Sequence, residues 1–212
     1  MTNNWAMGQD GNAILFTTRA DNGDSTIIDE IEFSGNVVRG TGGGMNILGG
    51  EGSGGHRLTI RNNIFDDIDG QKWGGAGHFM KLTDWKGLVI ENNTIIQKGN
   101  IAVLYGEPVK GFVFRNNIVS ENEYGFHGDG VGSGQRAIDK FCPGGVVSSN
   151  IIVGGSKALY REQNIFLTSF DQVGFENLPG IYRLRANSPY LKAGFGGKRI
   201  GADLDAAKVG TK

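Results

Sequence analysis

The feature that most constrains this 212-residue chain is a short phrase that recurs along it. An apolar-x-apolar pair leads into one or two polar residues, an asparagine and a second short apolar run. Copies of the phrase occupy residues 31–38, 58–65, 88–96, 112–119 and 146–152. Successive central asparagines are 27, 30, 24 and 33 residues apart, which indicates stacked repeats joined by loops of variable length.

The pattern inside the phrase is that of β-strands. Apolar residues alternate over three positions, stop at the asparagine and resume as β-branched or aromatic residues. Each repeat is therefore predicted to contain two short strands joined by a tight asparagine corner, with a third strand supplied by the following segment. Asparagine suits the corner because it tolerates left-handed backbone and its amide bonds to the backbone. Stacked copies would form a ladder of amides.

Composition excludes several classes of protein. The net charge of −1 predicts no general attraction to nucleic acid or to an anionic membrane surface. The 37 glycines are not spaced at every third position, so they indicate tight corners and not collagen. Cys142 is the single cysteine and is interpreted as an unpaired residue with no chemical role.

The repeated phrase resembles that of right-handed parallel β-helix proteins, the fold of pectate lyases and their relatives. The resemblance covers residues 11–166, and residues 182–204 resemble the closing segment of bacterial β-helix proteins. It implies an all-β solenoid with three short strands per coil and about seven coils in residues 1–166. Residues 167–212 are then expected to close the solenoid by packing on it.

The beginning of the chain reads as the middle of a coil. Residues 3–5 have the form of an asparagine corner whose preceding strand would lie upstream. We therefore expect this sequence to be the C-terminal part of a longer protein, with self-association through an open N-terminal coil. The resemblance also implies an extracellular or cell-surface protein whose export signal is not in this sequence.

One strand of each coil is expected to present a polar row. In the family the strand after the corner leads into a strand of the type Gly-apolar-x-apolar, here at residues 44–48, 78–82, 101–105 and 124–128. Alternation places Asn46, Lys81 and His127 outward from one sheet. Lys81 and His127, two coils apart, would be about 10 Å from each other. That distance suits two groups that line one groove and is too long for a hydrogen bond between them. The residues expected to face the core are Met45, Ile47, Met80, Leu82 and Phe126.

The family resemblance implies two kinds of catalytic site. For a polysaccharide lyase, Lys81 would act as base or carboxylate neutraliser and His127 as proton-transfer partner. Calcium, if used, would be bound by the acidic residues Asp84, Glu107 and Asp129.

For a glycoside hydrolase, Asp66 and Asp67 would be the acidic pair. The Gly-His-Gly and Arg-x-Lys motifs that accompany such a pair are missing, so both are interpreted as solvated loop acids. His56 and His78 are interpreted as loop residues with local hydrogen bonds. No His/Cys spacing suggests zinc.

Aromatic residues add a binding hypothesis. Rings beside a polar groove stack on sugar faces, while the alternative is that they cover the sheet by loop packing. The substrate-binding candidates are Asn46, Trp73, Trp85, Tyr105 and Arg136, the last in a long loop at residues 129–145 that is expected to form a binding wall.

The leading hypothesis is an extracellular protein that binds a polysaccharide along one sheet and has neither nucleic acid nor membrane as a partner. One rival is a lyase or glycosidase acting on acidic polysaccharide. Another is a structural or adhesin-type scaffold fragment.

Overall fold

A computed structural model describes residues 12–18, 26–49, 54–176 and 182–204. Its regular structure consists mostly of short strands that stack in parallel into three sheets, so the chain is a parallel β-helix. This confirms the predicted fold class. The corner predicted at residues 3–5 lies outside the described residues.

Each sheet takes one strand from successive coils. In chain-order numbering, the first sheet contains β1 (Asn12–Thr17), β4 (Gly43–Leu48), β7 (Met80–Thr83), β10 (Ala102–Leu104), β13 (Phe126–Gly128) and β14 (Gly132–Ser133). The second sheet contains β2 (Ile28–Ser34), β5 (Gly55–Arg61), β8 (Trp85–Glu91), β11 (Val113–Arg115) and β15 (Val146–Ser148). The third sheet contains β3 (Val37–Thr41), β6 (Ile64–Ile68), β9 (Thr94–Gln97), β12 (Ile118–Ser120), β16 (Ile151–Val153) and β17 (Ile165–Leu167).

The described residues make five coils with a strand in every sheet, and β17 adds a further strand to the third sheet. About seven coils were predicted. Within the described residues, 129–145 contain only the short strand β14 and helix α2, and 154–164 contain turns, so neither stretch adds a further coil. Strands β1, β2 and β3 are the edges of their sheets within the described residues. The self-association predicted for this end stays a prediction, which light scattering over a concentration series would test.

Helices are short and lie between strands. Helix α1 (Gly70–Trp73) follows β6, and α2 (Gln135–Phe141) follows β14. The 3₁₀ turns span Lys157–Leu159, Phe170–Val173, Pro189–Leu191 and Phe195–Gly197. Helix α2 buries Ala137, Ile138 and Phe141 in the core, so the stretch predicted as a long loop at residues 129–145 contains a helix. None of the described helices is long and apolar enough to cross a membrane.

An asparagine ladder joins the coils at the corner between the second and third sheets. At each rung the backbone N–H and the side-chain amide both donate to Oδ1 of the next asparagine, at 2.9–3.2 Å. The rungs are Asn36, Asn63, Asn93, Asn117, Asn150 and Asn164. The sequence interval before Asn164 is only 14 residues, too short for a full coil, yet the ladder continues through it into β17.

Two neighbouring residues form each corner: one has the left-handed backbone, and the other supplies the hydrogen-bonding amide. The residue before each of the first five rungs has a left-handed backbone, with φ between 53° and 69°, as at Asn62, Asn92 and Asn116. The prediction had given both tasks to one asparagine. The left-handed asparagines face outward instead and hold the closing segment: Asn92 donates to the Arg199 carbonyl at 2.7 Å, and Asn116 Oδ1 accepts from the Phe195 N–H at 2.7 Å.

Two apolar clusters hold the fold together. The first fills the inside of the helix, where all five residues predicted to face the core are at most 1% exposed. The second lies on the outer face of the third sheet, where Ile64, Ile118 and Ile151 pack against the closing segment. That segment contributes buried side chains such as Leu184 and Ile200. The described part of the closing segment therefore covers part of the third sheet.

We expect Asn93→Ala to lower the free energy of unfolding by about 3 kcal/mol, because buried donors and acceptors in the two neighbouring rungs lose their hydrogen-bond partners. Its matched control is Asn36→Ala, in the first described rung, which should cost about 1 kcal/mol because fewer groups lose a partner. Urea denaturation measures both values. Equal losses would show that the buried ladder contributes no more than an end rung.

Candidate functional site

A row of outward side chains crosses the first sheet in register. Asn46 pairs with Lys81, Lys81 with Val103, and Val103 with His127, so each coil contributes one residue. All four are half-buried. We call these four residues the first-sheet row. Its register confirms the predicted orientation of Asn46, Lys81 and His127. Lys81 and His127 are two coils apart, at about 4.8 Å per step, with Val103 between them.

His78 lies beside this row just before β7 begins. Its Nδ1 accepts a hydrogen bond from the Asn100 N–H at 2.9 Å, which places the proton of the neutral ring on Nε2. Burial, together with the nearby charges of Lys81 and His127, lowers the pKa of His78. His78 is therefore a neutral imidazole at pH 7 next to a cation.

His78 was interpreted as a loop residue with a local hydrogen bond, and its place beside the row was missed. The available signal was its position at the start of residues 78–82, the segment that also supplies Lys81. His56 was interpreted in the same way, and that interpretation is wrong because it lies within β5 and pairs in register with Lys86.

The far end of the row carries an aromatic side chain. The rings of Tyr124 and His127 have centroids 5.2 Å apart, and Tyr124 is 43% exposed. Strand β14 lies alongside, with Ser133 opposite His127. Sequence reasoning did not single out Tyr124, although it opens the segment that contains His127.

Two polar atoms of the row lack hydrogen-bond partners within the described part of the chain. They are Oδ1 of Asn46 and Nδ1 of His127, both buried at the atomic level. A buried polar atom without a partner costs free energy, so these two positions are destabilising as the row stands. The two atoms lie toward opposite ends of the row.

The predicted aromatic set is not gathered around this row. Trp85 is fully buried, and a Cβ on Gly55 would lie 2.1 Å from its ring, so its predicted stacking on sugars is wrong. Trp73 lies at the end of α1, where its indole N–H donates to Asp67 at 3.0 Å, on the side of the third sheet. Tyr105 is half-buried directly after β10, and Arg136 is exposed on α2.

The acids predicted as calcium ligands do not converge. Asp84 lies at the bend between β7 and β8, where its backbone N–H donates to the Glu107 carbonyl at 2.9 Å. Asp129 follows β13 and is exposed. Across the described ranges no three His, Cys, Asp or Glu side chains form a group that could hold a metal, so the three acids do not make a joint site.

Asp66 and Asp67 are not solvated loop acids. Both belong to β6, and Asp66 is only 7% exposed. One oxygen of Asp66 accepts from Arg39 Nε at 2.7 Å, and the other accepts from the Tyr182 hydroxyl. The interpretation failed because these partners come from another coil and from the closing segment.

Cys142 is fully buried at the end of α2, and burial raises the pKa of its thiol to about 12. The thiol therefore stays protonated, and a thiolate nucleophile is not available there.

No family model, curated protein or solved structure matches this chain.

We expect an NMR titration to give a midpoint for His78 below the ordinary histidine range, and Lys81→Gln to move that midpoint upward. The shift should be partial because burial is the larger cause of the lowered pKa. Lys86→Gln, which changes an exposed lysine on the second sheet, is the control. An unchanged His78 midpoint in Lys81→Gln would contradict the arrangement.

Proposed function

We propose that the outer face of the first sheet binds an acidic polysaccharide, laid across the strands along the axis of the β-helix. The observation that carries this proposal is the in-register row from Asn46 through Lys81 to His127. Each step along the row is one coil, so a linear polymer meets a new side chain at a regular interval of about 4.8 Å.

The chemistry of the row suits sugars that bear carboxylates. The Lys81 ammonium supplies positive charge for a carboxylate, and a charge-assisted hydrogen bond is stronger than a neutral one. Asn46 and His127 add half-buried polar side chains to the same row. The exposed ring of Tyr124 provides a surface on which a sugar face stacks.

The proposal extends to family and location. The stacked coils and asparagine ladder support membership of the pectate-lyase-like superfamily, and an acidic polysaccharide as ligand supports an extracellular or cell-surface location.

We expect titration calorimetry to show binding of polygalacturonate or alginate, with Lys81→Gln weakening it about tenfold because one charged hydrogen bond is lost. Lys86→Gln is the matched control and should leave the affinity within about twofold. Binding that is absent in a folded sample, or equal in the two variants, would refute the proposal.

A second candidate function is polysaccharide lyase, which the neutral His78 beside Lys81 favours. In this reaction His78 takes the proton next to a uronate carboxylate, while Lys81 neutralises that carboxylate. Electrons of the broken C–H bond form a carbon–carbon double bond as the glycosidic oxygen departs, and His127 supplies a proton to that oxygen. The lowered pKa keeps His78 in its basic form below the ordinary histidine range.

We expect incubation with uronic-acid polymers to produce ultraviolet absorbance from the unsaturated product, and His78→Ala to abolish it. The rate should persist below the ordinary histidine pKa and fall only as pH drops through the lowered pKa of His78. Lys86→Gln should keep full activity. Polymer binding without any absorbance would leave the protein as a binding module, and undiminished activity in His78→Ala would remove His78 from the mechanism.

A further inference from the structure

One carboxyl group is buried inside the solenoid and is not paired with a cation. Glu121 directly follows β12 and is only 3% exposed. Its Oε2 accepts from the Tyr160 hydroxyl at 2.5 Å, while its Oε1 has no hydrogen-bond partner among the described residues. An ionised carboxylate in this position is costly, because burial disfavours its charge and no opposite charge offsets it.

The carboxyl group occupies a slot that two glycines leave open. A Cβ on Gly125 would lie 2.1 Å from Oε1, and a Cβ on Gly155 would lie 3.2 Å from Oε2. Gly125 belongs to the turn between β12 and β13, and Gly155 to the turn after β16. Tyr160 completes the slot, and its ring packs against Phe126 and Phe166. The carboxyl group therefore joins two turns and one aromatic side chain.

The other charged groups of this region do not neutralise Glu121. The charged side chains of the surrounding turns are all exposed, and they are Glu123, Lys157, Arg161 and Glu162. Arg161 is paired with Asp139 at 2.9 Å. The preceding coil contributes a neutral group, since the Gln97 amide donates to the Ser120 carbonyl at 2.6 Å. His127 faces outward from the first sheet.

Tyr160 is thus the titratable group that faces the carboxyl. Burial raises the pKa of Glu121, and the hydrogen bond from Tyr160 offsets part of that rise. Burial also raises the pKa of Tyr160, so its hydroxyl remains a donor at every pH considered below. The carboxyl group is therefore the one that changes charge in this slot.

The direction of the pH dependence follows from the raised pKa of Glu121. Its contribution to stability is complete below the unfolded-state pKa of a glutamate, about 4.3, and is lost as the pH rises through the higher folded-state value. Above that value a negative charge is enclosed by turns. Turns open locally at a lower cost than strands at the centre of a sheet, so ionisation favours their opening.

We propose that Glu121 and Tyr160 form a pH-sensitive latch. The protonated carboxyl group holds the turns at Gly125 and Gly155 and the Tyr160 ring in place, and the ionised carboxylate releases them. The turn at Gly125 also carries Tyr124, so opening reaches the end of the first-sheet row. The latch does not depend on the ligand proposed for that row.

The first test is a carbon-13 NMR titration of the Glu121 carboxyl group. We expect its midpoint to lie above about 4.3, the ordinary value for glutamate. Tyr160→Phe should move the midpoint further upward, because it removes the hydrogen bond that favours the charged form. The matched control is Glu123→Gln, which alters an exposed glutamate two residues away and should leave the midpoint unchanged.

The second test is native-state hydrogen exchange at the backbone N–H groups of Gly125 and Tyr160, divided by the intrinsic exchange rate. We expect the opening constant to rise about tenfold per pH unit from about 4.3 to the raised pKa and then to level off. The N–H of Thr94, which donates to the Asn63 carbonyl at 3.0 Å in the third sheet, should show no such rise. Glu121→Gln keeps the shape and the acceptor, and should abolish the rise, whereas Glu123→Gln should retain it.

Three results would overturn the proposal. One is a Glu121 midpoint at or below the ordinary value. Another is an equal rise at Thr94, which would mean that ionisation unfolds the whole chain and does not release a latch. The third is an undiminished rise in Glu121→Gln. If that variant does not fold, the titration and the comparison of Gly125 with Thr94 in the unaltered protein decide the question.

Discussion

The asparagine ladder is the interaction on which the rest of the structure depends. Each of the four inner rungs, Asn63 to Asn150, ties its backbone N–H and its amide to the next coil. The amide of each also reaches a backbone carbonyl of the preceding coil, as Asn93 does with Ile60 at 2.9 Å. A buried amide so fully satisfied fixes the corner in one position. With every corner fixed, the strands on either side stack in register, and the outward rows of all three sheets follow.

The paired asparagines of the phrase gain a physical explanation from the structure. The inner member of each pair builds the ladder, while the outer member adopts left-handed backbone and binds the closing segment. One dipeptide thereby links the interior of the solenoid to the segment that covers it. A separate contact, from the Tyr182 hydroxyl to Asp66, holds the closing segment to the third sheet.

The sequence predicts the features that local pattern decides. Alternation correctly places Met80 inward and Lys81 outward, because neighbouring residues of a strand must face opposite sides of a sheet. It fails for Trp85 and Asp66, whose surroundings come from distant parts of the chain. Trp85 enters the core through space left by Gly55 in another coil, and Asp66 is neutralised by Arg39 from the coil before.

His78 was missed for a related reason. Its pKa is lowered first by burial, then by the charge of Lys81 in its own repeat and by that of His127 two coils away. No spacing within its own repeat shows the burial or the nearness to His127. A single repeat reveals which way a side chain points. Only the stacked coils reveal which side chains it meets.

The spacing between ladder asparagines varies from 24 to 33 residues in the full coils, and the hydrogen bonds between rungs remain the same. The ladder therefore constrains only the corner, and the segments between corners are free to change length. Insertions there alter the height and chemistry of the walls without altering the pitch of the stack. A scaffold of this kind can acquire a new specificity by lengthening one turn, at little risk to its core.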